Sequence, residues 1–197
     1  MGTLLLVFAS ALWGLLHSLL ASSGIKDAAR RALGDSAMNW YRLLYNFLAV
    51  ASFILLVVLA SLLPDSRLYE IPNPWVVVTM IIQLMAVVLL VVGVIQTDVW
   101  SFIGLRQIMG GESESSIETG GLYRYVRHPL YSAGLVFIWL TPAMTLNRLV
   151  VYGSLTLYII IGVYFEERKL IREFGKDYYN YQGRTPMLVP FLPKRRI

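Results

Sequence analysis

The sequence contains no cysteine and little charge, and each shortage excludes a class of protein. Without cysteine, the chain can hold no disulfide framework, no thiolate metal site and no cysteine nucleophile. Charged residues make up 15% of the 197 positions, whereas soluble domains carry about 25%. Hydrophobic residues account for 57%, which is more than one soluble core of this length requires. These proportions indicate a membrane protein.

Long uncharged stretches divide the sequence into expected membrane-spanning helices. A transmembrane helix needs about 17–25 mostly apolar residues, and five stretches meet this requirement. Because these stretches show no strand-like alternation of apolar and polar residues, we predict an all-α, polytopic membrane helix bundle that forms a single membrane domain. The expected spans cover residues 3–22, 42–63, 75–97, 129–147 and 149–165.

Two segments lie outside these expected spans. Residues 98–128 have a middle rich in glycine and serine, which predicts a cytoplasmic loop or lid. Residues 166–182 place apolar side chains at a 3-4-3 spacing, which predicts an amphipathic helix at the membrane interface. The apolar face of that helix would comprise Ile171, Phe174, Tyr178 and Tyr181.

Basic residues cluster on one side of the expected membrane. The chain has 17 Lys and Arg residues against 12 Asp and Glu, a net charge of +5. All but two of the basic residues lie between the first and second spans, between the third and fourth spans, or after the fifth span, and these segments face the same side. Only Arg67 and Arg148 lie in the connections on the other side. By the positive-inside rule, we expect a multi-pass protein of a bacterial or archaeal cell membrane, with the N-terminus outside and the C-terminus in the cytoplasm. This asymmetry accounts for the positive charge without a nucleic-acid partner.

The densest group of reactive side chains lies at the start of the fourth expected span. Pro129 suits the first turn of a helix and keeps His128 out of helical geometry. The backbone N–H groups of that turn favour a carboxylate or phosphate, and Arg127 and His128 add donors. Flat surfaces for a base or a sulfonium come from Tyr123, Tyr125 and Tyr131. The same residues are equally typical of an aromatic and arginine belt at a membrane boundary.

Three further ionisable residues lie in or beside the expected spans. Glu166 and Glu167 stand at the expected cytoplasmic end of the fifth span, where unpartnered carboxylates are costly. They either bind a cationic group of a ligand or pair with neighbours such as Lys169.

His17, inside the first span, could be an axial haem ligand, although a hydrogen bond between packed helices is the simpler interpretation. No metal site is expected, since the two histidines lie at different depths on different spans.

Two motifs in the second half resemble those of the isoprenylcysteine carboxyl methyltransferase and phospholipid methyltransferase superfamily of integral membrane enzymes. The first motif is Gly121-Leu122-Tyr123 followed by Arg127-His128-Pro129-Leu130-Tyr131. The second comprises Glu166-Glu167, Leu170, Phe174-Gly175, Tyr178, Tyr181 and Pro186 through Pro190. The first half resembles a branch that includes methanethiol S-methyltransferases and nitrite-reduction-associated membrane proteins related to plant ζ-carotene isomerase. That resemblance rests on His17-Ser18-Leu19-Leu20-Ala21 and Tyr41-Arg42-Leu43-Leu44-Tyr45-Asn46.

The resemblance implies a membrane methyltransferase that uses S-adenosylmethionine. It implies a cytoplasm-facing pocket built by the last two spans and the C-terminal helix. The implied catalytic residues are His128, Glu166 and Glu167, with a general base needed only if the acceptor arrives protonated. The implied cofactor-binding residues are Gln107, Ser116, Ile117, Glu118, Tyr123, Arg127, His128, Pro129, Leu130, Tyr131, Glu166 and Glu167.

One departure from the superfamily pattern bears on the methyl acceptor. The prenylcysteine enzymes carry an arginine about one turn before the glutamate pair, where it meets a substrate carboxylate. Gly162 occupies that position here, which favours a thiol, an amine or another uncharged acceptor over a carboxyl group. The membrane setting suits a hydrophobic acceptor that enters from the lipid bilayer, or a small volatile thiol. The oligomeric state is left open.

Two rival interpretations compete with a methyltransferase. The first is a haem-dependent membrane isomerase or redox-associated protein that uses His17, which the first half of the chain supports. The second is a structural or assembly protein that retains a relic motif. Against the haem interpretation stand the intact second motif and the Glu166-Glu167 pair, which a haem site does not need.

Overall fold

The chain folds almost entirely into helices in a computed structural model. The model describes residues 1–97, 99–103, 105–109 and 117–192, apart from the side chains of residues 101, 102 and 107. In the described part of the chain two short strands pair with each other, and a 3-10 turn covers Gly121–Arg124. The prediction of a helical chain is confirmed. The elements are α1 (Gly2–Ala21), α2 (Ser23–Leu33), α3 (Asp35–Leu62), β1 (Arg67–Glu70), α4 (Trp75–Gln96), α5 (Val99–Ile103), α6 (Leu105–Ile108), α7 (Pro129–Trp139), β2 (Ala143–Thr145), α8 (Leu146–Phe174) and α9 (Lys176–Arg184).

Four helices of the described chain are long and apolar enough to cross a membrane, namely α1, α3, α4 and α8. Each is mostly exposed within the structure, and exposed apolar helix surface of this kind is what a bilayer covers. The chain is therefore a multi-pass membrane protein.

The expected fourth span is not confirmed as a helix of that length. Within residues 129–147, α7 has only 11 residues and ends at Trp139. Pro142 cannot continue a helix and keeps Thr141 out of helical geometry, so the chain leaves the helix and enters β2.

The expected interfacial helix over residues 166–182 is not confirmed as a separate element. The last long helix, α8, has 29 residues and runs without a break through Glu166 and Glu167 to Phe174. It stops at Gly175, whose φ of 57° lies in the left-handed region that favours glycine. The two glutamates therefore lie inside α8, two turns before its end, and not at a helix terminus. The remaining residues of the expected interfacial helix form α9.

The described chain divides into two compact units, and each has its own packing. The first unit comprises Met1–Leu68, Asp98–Glu114 and Thr145–Leu155, and the second comprises Tyr69–Thr97, Ser115–Met144 and Thr156–Ile197.

The first unit is built on α1 and α3, with the first turns of α8. Leu6, Leu56 and Val151 form its buried apolar core. Asn147 is 1% exposed, and its amide donates to backbone carbonyl oxygens at the end of α3. Asp65 accepts a hydrogen bond from the Asn147 N–H at 3.0 Å, so a carboxylate faces the first turn of α8, where the helix dipole favours negative charge.

The second unit is built on α4, α7 and the later part of α8. The chain around α7 follows α4 along its length, which is about 33 Å for 22 residues. Four contacts mark the path: Gln96 with Leu122, Gly93 with Leu130, Gln83 with Phe137, and Ile71 with Pro142. The glycine at position 93 permits one of these approaches, because a Cβ there would lie 2.8 Å from Leu130 Cδ2.

Candidate functional site

A buried carboxylate, that of Glu167, organises the second unit. Its side chain is 0% exposed and accepts five hydrogen bonds from four residues of the described chain. Arg127 binds both oxygens, with Nε to Oε1 and Nη2 to Oε2 at 2.8 Å each. His128 Nε2 and the Tyr178 hydroxyl also lie 2.8 Å from Oε1, and Gln182 Nε2 donates to Oε2. We call these five residues the Glu167 cluster.

The guanidinium of Arg127 is as fully engaged as the carboxylate. Arg127 is 3% exposed, and its Nη1 donates to the carbonyl oxygens of Gln182 and Thr185. A buried ion pair is favourable only when its remaining donors and acceptors are also satisfied, and this pair meets that condition. The backbone N–H groups of Arg127 and His128 donate to the carbonyl oxygens of Pro186 and Met187. The chain after α9 is therefore tied to the start of α7.

The start of α7 fixes the position of His128. Pro129 is the first residue of the helix, and His128 precedes it with φ −125° and ψ 67°, as the sequence predicted. While Nε2 meets Glu167, Nδ1 lies 3.8 Å from Oε2 of Glu166. The imidazole stacks on the ring of Tyr131, with 5.6 Å between centroids. One edge of the ring is therefore buried in the Glu167 cluster, and the other edge faces Glu166.

The adjacent glutamates occupy opposite environments. The side chain of Glu166 is 42% exposed, and its Oε2 accepts a hydrogen bond from the Tyr131 hydroxyl at 3.0 Å. Burial raises the pKa of Tyr123, and the negative charges of Glu166 and Glu118 raise it further. Tyr123 and these two carboxylates therefore share one electrostatic neighbourhood. Glu166 is the accessible carboxylate of the pair.

The tyrosines of α9 act as hydrogen-bond donors. Burial raises the pKa of Tyr178, and so do the charge of Glu167 and the hydrogen bond to it. Burial also raises the pKa of Tyr181, whose hydroxyl donates to the Tyr123 carbonyl oxygen. Both phenols therefore stay protonated and keep donating up to strongly alkaline pH.

The structure brings most of the expected site residues into the second unit. Besides the cluster, Glu166 and Tyr131, the buried Pro129 begins α7, and Leu130 packs at Gly93. Ile117 and Glu118 precede the 3-10 turn, where Glu118 accepts a hydrogen bond from the Gly120 N–H. A Cβ built on Gly162 has no atom within 4 Å, so the turn before Glu166 is open.

Two expected cofactor-binding residues are not placed there. Ser116 lies outside the described residues. For Gln107 only the backbone, in α6 of the first unit, is described. The structure therefore gives neither side chain a position in the site.

Sequence reasoning missed the part that Gln182 plays. Gln182 is 0% exposed and lies four residues after Tyr178, so the two side chains share a face of α9. The sequence offered one indication of this role: Gln182 is a polar side chain on the helical face that was expected to be apolar.

His17 belongs to the first unit. Its Nε2 is 2.6 Å from the Tyr45 hydroxyl, and its ring stacks on Trp13 at 5.3 Å. This arrangement is the helix-packing hydrogen bond that the sequence offered as the simpler interpretation.

Comparison with known proteins places the chain in a family. The family model described as NnrU protein matches residues 5–191, nearly the whole length. The chain belongs to the NnrU family. No solved structure matches the chain.

Methyltransferases are among the curated relatives of the chain. Methanethiol S-methyltransferase 2 of Bradyrhizobium diazoefficiens is 46% identical over 104 residues, which cover 50% of this chain and 40% of that enzyme. Methanethiol S-methyltransferase of Crocosphaera subtropica is 37% identical over 101 residues, covering 49% and 40%. Protein-S-isoprenylcysteine O-methyltransferase B of Arabidopsis thaliana is 30% identical over 87 residues, covering 41% and 43%. The chain spans about two fifths of the length of these relatives, and the resemblance to the membrane methyltransferase superfamily is confirmed.

Proposed function

We propose that this protein is a membrane methyltransferase that uses S-adenosylmethionine to methylate a thiol that is small or hydrophobic. The observation that carries the proposal is the accessible carboxylate of Glu166 beside one edge of His128, whose other edge is held by Glu167. The names of the relatives supply the reaction class, and two of them supply the thiol.

The residues around Glu166 fit the chemistry of S-adenosylmethionine. That molecule carries an ammonium group, a sulfonium and a flat base. Glu166 offers a partly exposed carboxylate to the ammonium, and the stacked rings of His128 and Tyr131 offer flat faces to a sulfonium or a base. Tyr123 and Glu118 lie in the same electrostatic neighbourhood. We assign the binding role to these residues, with Gln107 and Ser116 kept as expectations from the resemblance.

The part played by the protein in such a reaction is chiefly positioning. The bound cofactor supplies an electrophilic methyl group with its leaving group attached, so the chain must hold the acceptor in line and exclude water. The Glu167 cluster suits this task because it joins α7, α8 and α9 through buried hydrogen bonds within one unit. Gly162 contributes no cation to the turn before Glu166, which favours a thiol over a carboxylate acceptor.

We also propose that the chain crosses the membrane five times. Residues 129–142 contain only a short helix, but they follow α4 from Gly93 to the level of Ile71. A segment that accompanies a spanning helix over that distance reaches the opposite face of the bilayer. Non-helical backbone at membrane depth is tolerated where protein buries it, and Thr141 is 8% exposed. If the chain crosses five times, the positive-inside rule predicts an N-terminus outside and the proposed site on the cytoplasmic side.

The haem alternative has weaker support from the structure. An axial ligand needs an available imidazole nitrogen, and Nε2 of His17 already lies at hydrogen-bond distance from the Tyr45 hydroxyl. We therefore do not propose a haem site.

Binding of S-adenosylhomocysteine tests the site, and a transfer screen tests the reaction. We expect Glu166→Gln to weaken calorimetric binding at least tenfold, about 1.4 kcal/mol, because it removes the carboxylate that meets the ammonium. Asp27→Asn, a matched change at an exposed position of α2, should leave binding unchanged.

Labelled S-adenosylmethionine should transfer its methyl group to alkanethiols in preference to prenylcysteines and phospholipid amines. Failure of the wild type both to bind at millimolar concentration and to methylate any acceptor would contradict the proposal.

A further inference from the structure

The orientation of the His128 ring points to a specific chemical role. We infer that His128 accepts the proton of a thiol acceptor at Nδ1, and that Glu167 is the positioning residue that places the hydrogen of the neutral ring on Nε2 and its lone pair on Nδ1. The inference rests on the proposed function and deepens it. It defines the acceptor as a thiol that arrives with its proton.

The tautomer follows from the hydrogen bonds of Glu167. The bidentate contact with Arg127 holds Glu167 as a carboxylate, which can only accept hydrogen bonds. His128 Nε2, 2.8 Å from Oε1, must therefore carry the hydrogen. A neutral imidazole carries one hydrogen, so its lone pair lies on Nδ1.

The Glu167 carboxylate is prevented from turning away from the ring. Oε1 also accepts from Tyr178, and Oε2 accepts from Arg127 and Gln182. Rotation of the carboxylate would break several buried hydrogen bonds at once, which is unfavourable because buried polar groups need partners. This arrangement fixes the Nε2 edge of the ring and leaves the Nδ1 edge available to a reacting group.

The Nδ1 edge faces the accessible carboxylate. Glu166 Oε2 lies 3.8 Å from Nδ1, which is too far for a hydrogen bond. Among the described residues, no hydrogen bond of the structure engages Nδ1. The basic nitrogen is thus directed towards the residue to which we assign cofactor binding.

The charges around the ring suit proton acceptance. Glu166 and Glu167 face the imidazole from α8, Tyr131 stacks on it from α7, and Tyr178 of α9 shares Oε1 of Glu167. The only cation in the cluster, Arg127, is already paired with Glu167. An imidazolium formed here therefore lies between two carboxylates. Both stabilise it as the proton arrives.

The proposed step balances in atoms and charge. The thiol S–H bond breaks and its proton moves to Nδ1, while the thiol sulfur forms a new bond to the methyl carbon. The bond between that carbon and the sulfonium sulfur of the donor breaks, and its electron pair stays on the donor, which becomes neutral. The positive charge of the donor is replaced by that of the imidazolium, which then releases its proton to water. A carboxylate acceptor would bring no proton and would not need the ring.

Thiols of different acidity test the role of His128. His128→Asn should lower kcat/KM at least a hundredfold with an alkanethiol, which is protonated at neutral pH. With an acidic aromatic thiol, already a thiolate at that pH, the loss should be at least tenfold smaller, because that thiol needs no base and any weakening of cofactor contacts affects both thiols alike. Retained transfer to the aromatic thiol also shows that the variant folds and binds the cofactor. Equal losses with both thiols would overturn the inference. If His128→Asn does not fold, His128→Gln is measured against the same pair of thiols.

Nitrogen NMR of histidine-labelled protein tests the tautomer without any turnover. The chain has two histidines, and His17→Asn assigns their signals. In the neutral ring of His128 we expect hydrogen on Nε2 and none on Nδ1. Tyr178→Phe, which removes one donor to Oε1 but leaves the imidazole contact, should keep this tautomer. A ring protonated on Nδ1 would overturn the inference whatever the activity.

The outcomes distinguish the inference from the proposed function. Transfer to amines or carboxylates, with none to thiols, would overturn the inference and leave a methyltransferase. A wild type that methylates no acceptor would overturn both, even if the expected tautomer is observed.

Discussion

At the scale of single residues, neighbouring glutamates receive different tasks because a helix rotates about 100° per residue. Glu167 points into the second unit, whereas Glu166 points towards accessible surface. The sequence predicted that this pair needs partners, since carboxylates at a membrane edge are costly alone. It could not tell which of the two would be buried, because Tyr178 and Gln182 reach Glu167 only after the chain turns at Gly175.

Removing the charge of Glu167 should strongly destabilise the protein. Glu167→Gln leaves the guanidinium of Arg127 buried without its counter-charge, so we expect the free energy of unfolding to fall by about 3–5 kcal/mol. Glu166→Gln, the matched change on the exposed neighbour, should alter it by less than about 0.5 kcal/mol. Unfolding in a denaturing detergent, followed by circular dichroism, measures both. Similar losses in the two variants would contradict the buried role of Glu167.

At the scale of elements, hydropathy located the membrane helices well and their ends less well. The span expected at 75–97 is α4, Trp75–Gln96, because apolar sequence begins and stops there. The span expected at 149–165 continues to Phe174, since a helix extends into polar sequence until a residue such as Gly175 stops it. Hydropathy indicates which residues suit contact with lipid. It does not indicate where a helix continues into polar sequence or where it stops inside an apolar stretch. The same limit explains why α7 is shorter than its apolar stretch.

The 3-10 turn before α7 depends on a glycine. Gly121 has φ 50°, and a Cβ there would overlap the Gln96 amide, whose oxygen accepts a hydrogen bond from the Leu122 N–H. We expect Gly121→Ala to lower the free energy of unfolding by about 1–3 kcal/mol. Gly134→Ala, inside α7 with no atom within 4 Å of the new Cβ, should be neutral or stabilise by up to about 1 kcal/mol. Thermal unfolding in detergent compares the pair, and equal effects would show that the turn tolerates a side chain.

At the scale of the whole molecule, the placement of the basic residues and the path of the chain beside α4 are the two observations behind the proposed five crossings. The composition indicated a membrane protein, and the placement of the basic residues along the chain predicts an orientation that stays a prediction. It could not show that a short helix accompanies α4, since that depends on contacts such as the one between Gln83 and Phe137. The candidate site was predictable as a set of residue types, and its hydrogen-bond pattern was not.

The absence of cysteine makes the membrane crossings directly measurable. In single-cysteine variants of intact cells, a membrane-impermeant maleimide should label Arg148→Cys and should not label Arg124→Cys until the membrane is permeabilised. This result is expected because residues 129–142 would carry the chain across the bilayer between the two positions. Ser66→Cys, which precedes the strand β1, is the control for the outer face. Labelling of positions 124 and 148 from the same side would contradict five crossings.

The composition of the Glu167 cluster has a consequence for biosynthesis. A nascent chain that has reached Phe174 already contains the carboxylate and the guanidinium, but it lacks Tyr178, Gln182 and the carbonyl oxygen of Thr185. Until α9 emerges from the ribosome, the ion pair lacks the hydrogen bonds that these groups supply. Completion of α9 is therefore required before the buried ion pair has all of its hydrogen-bond partners.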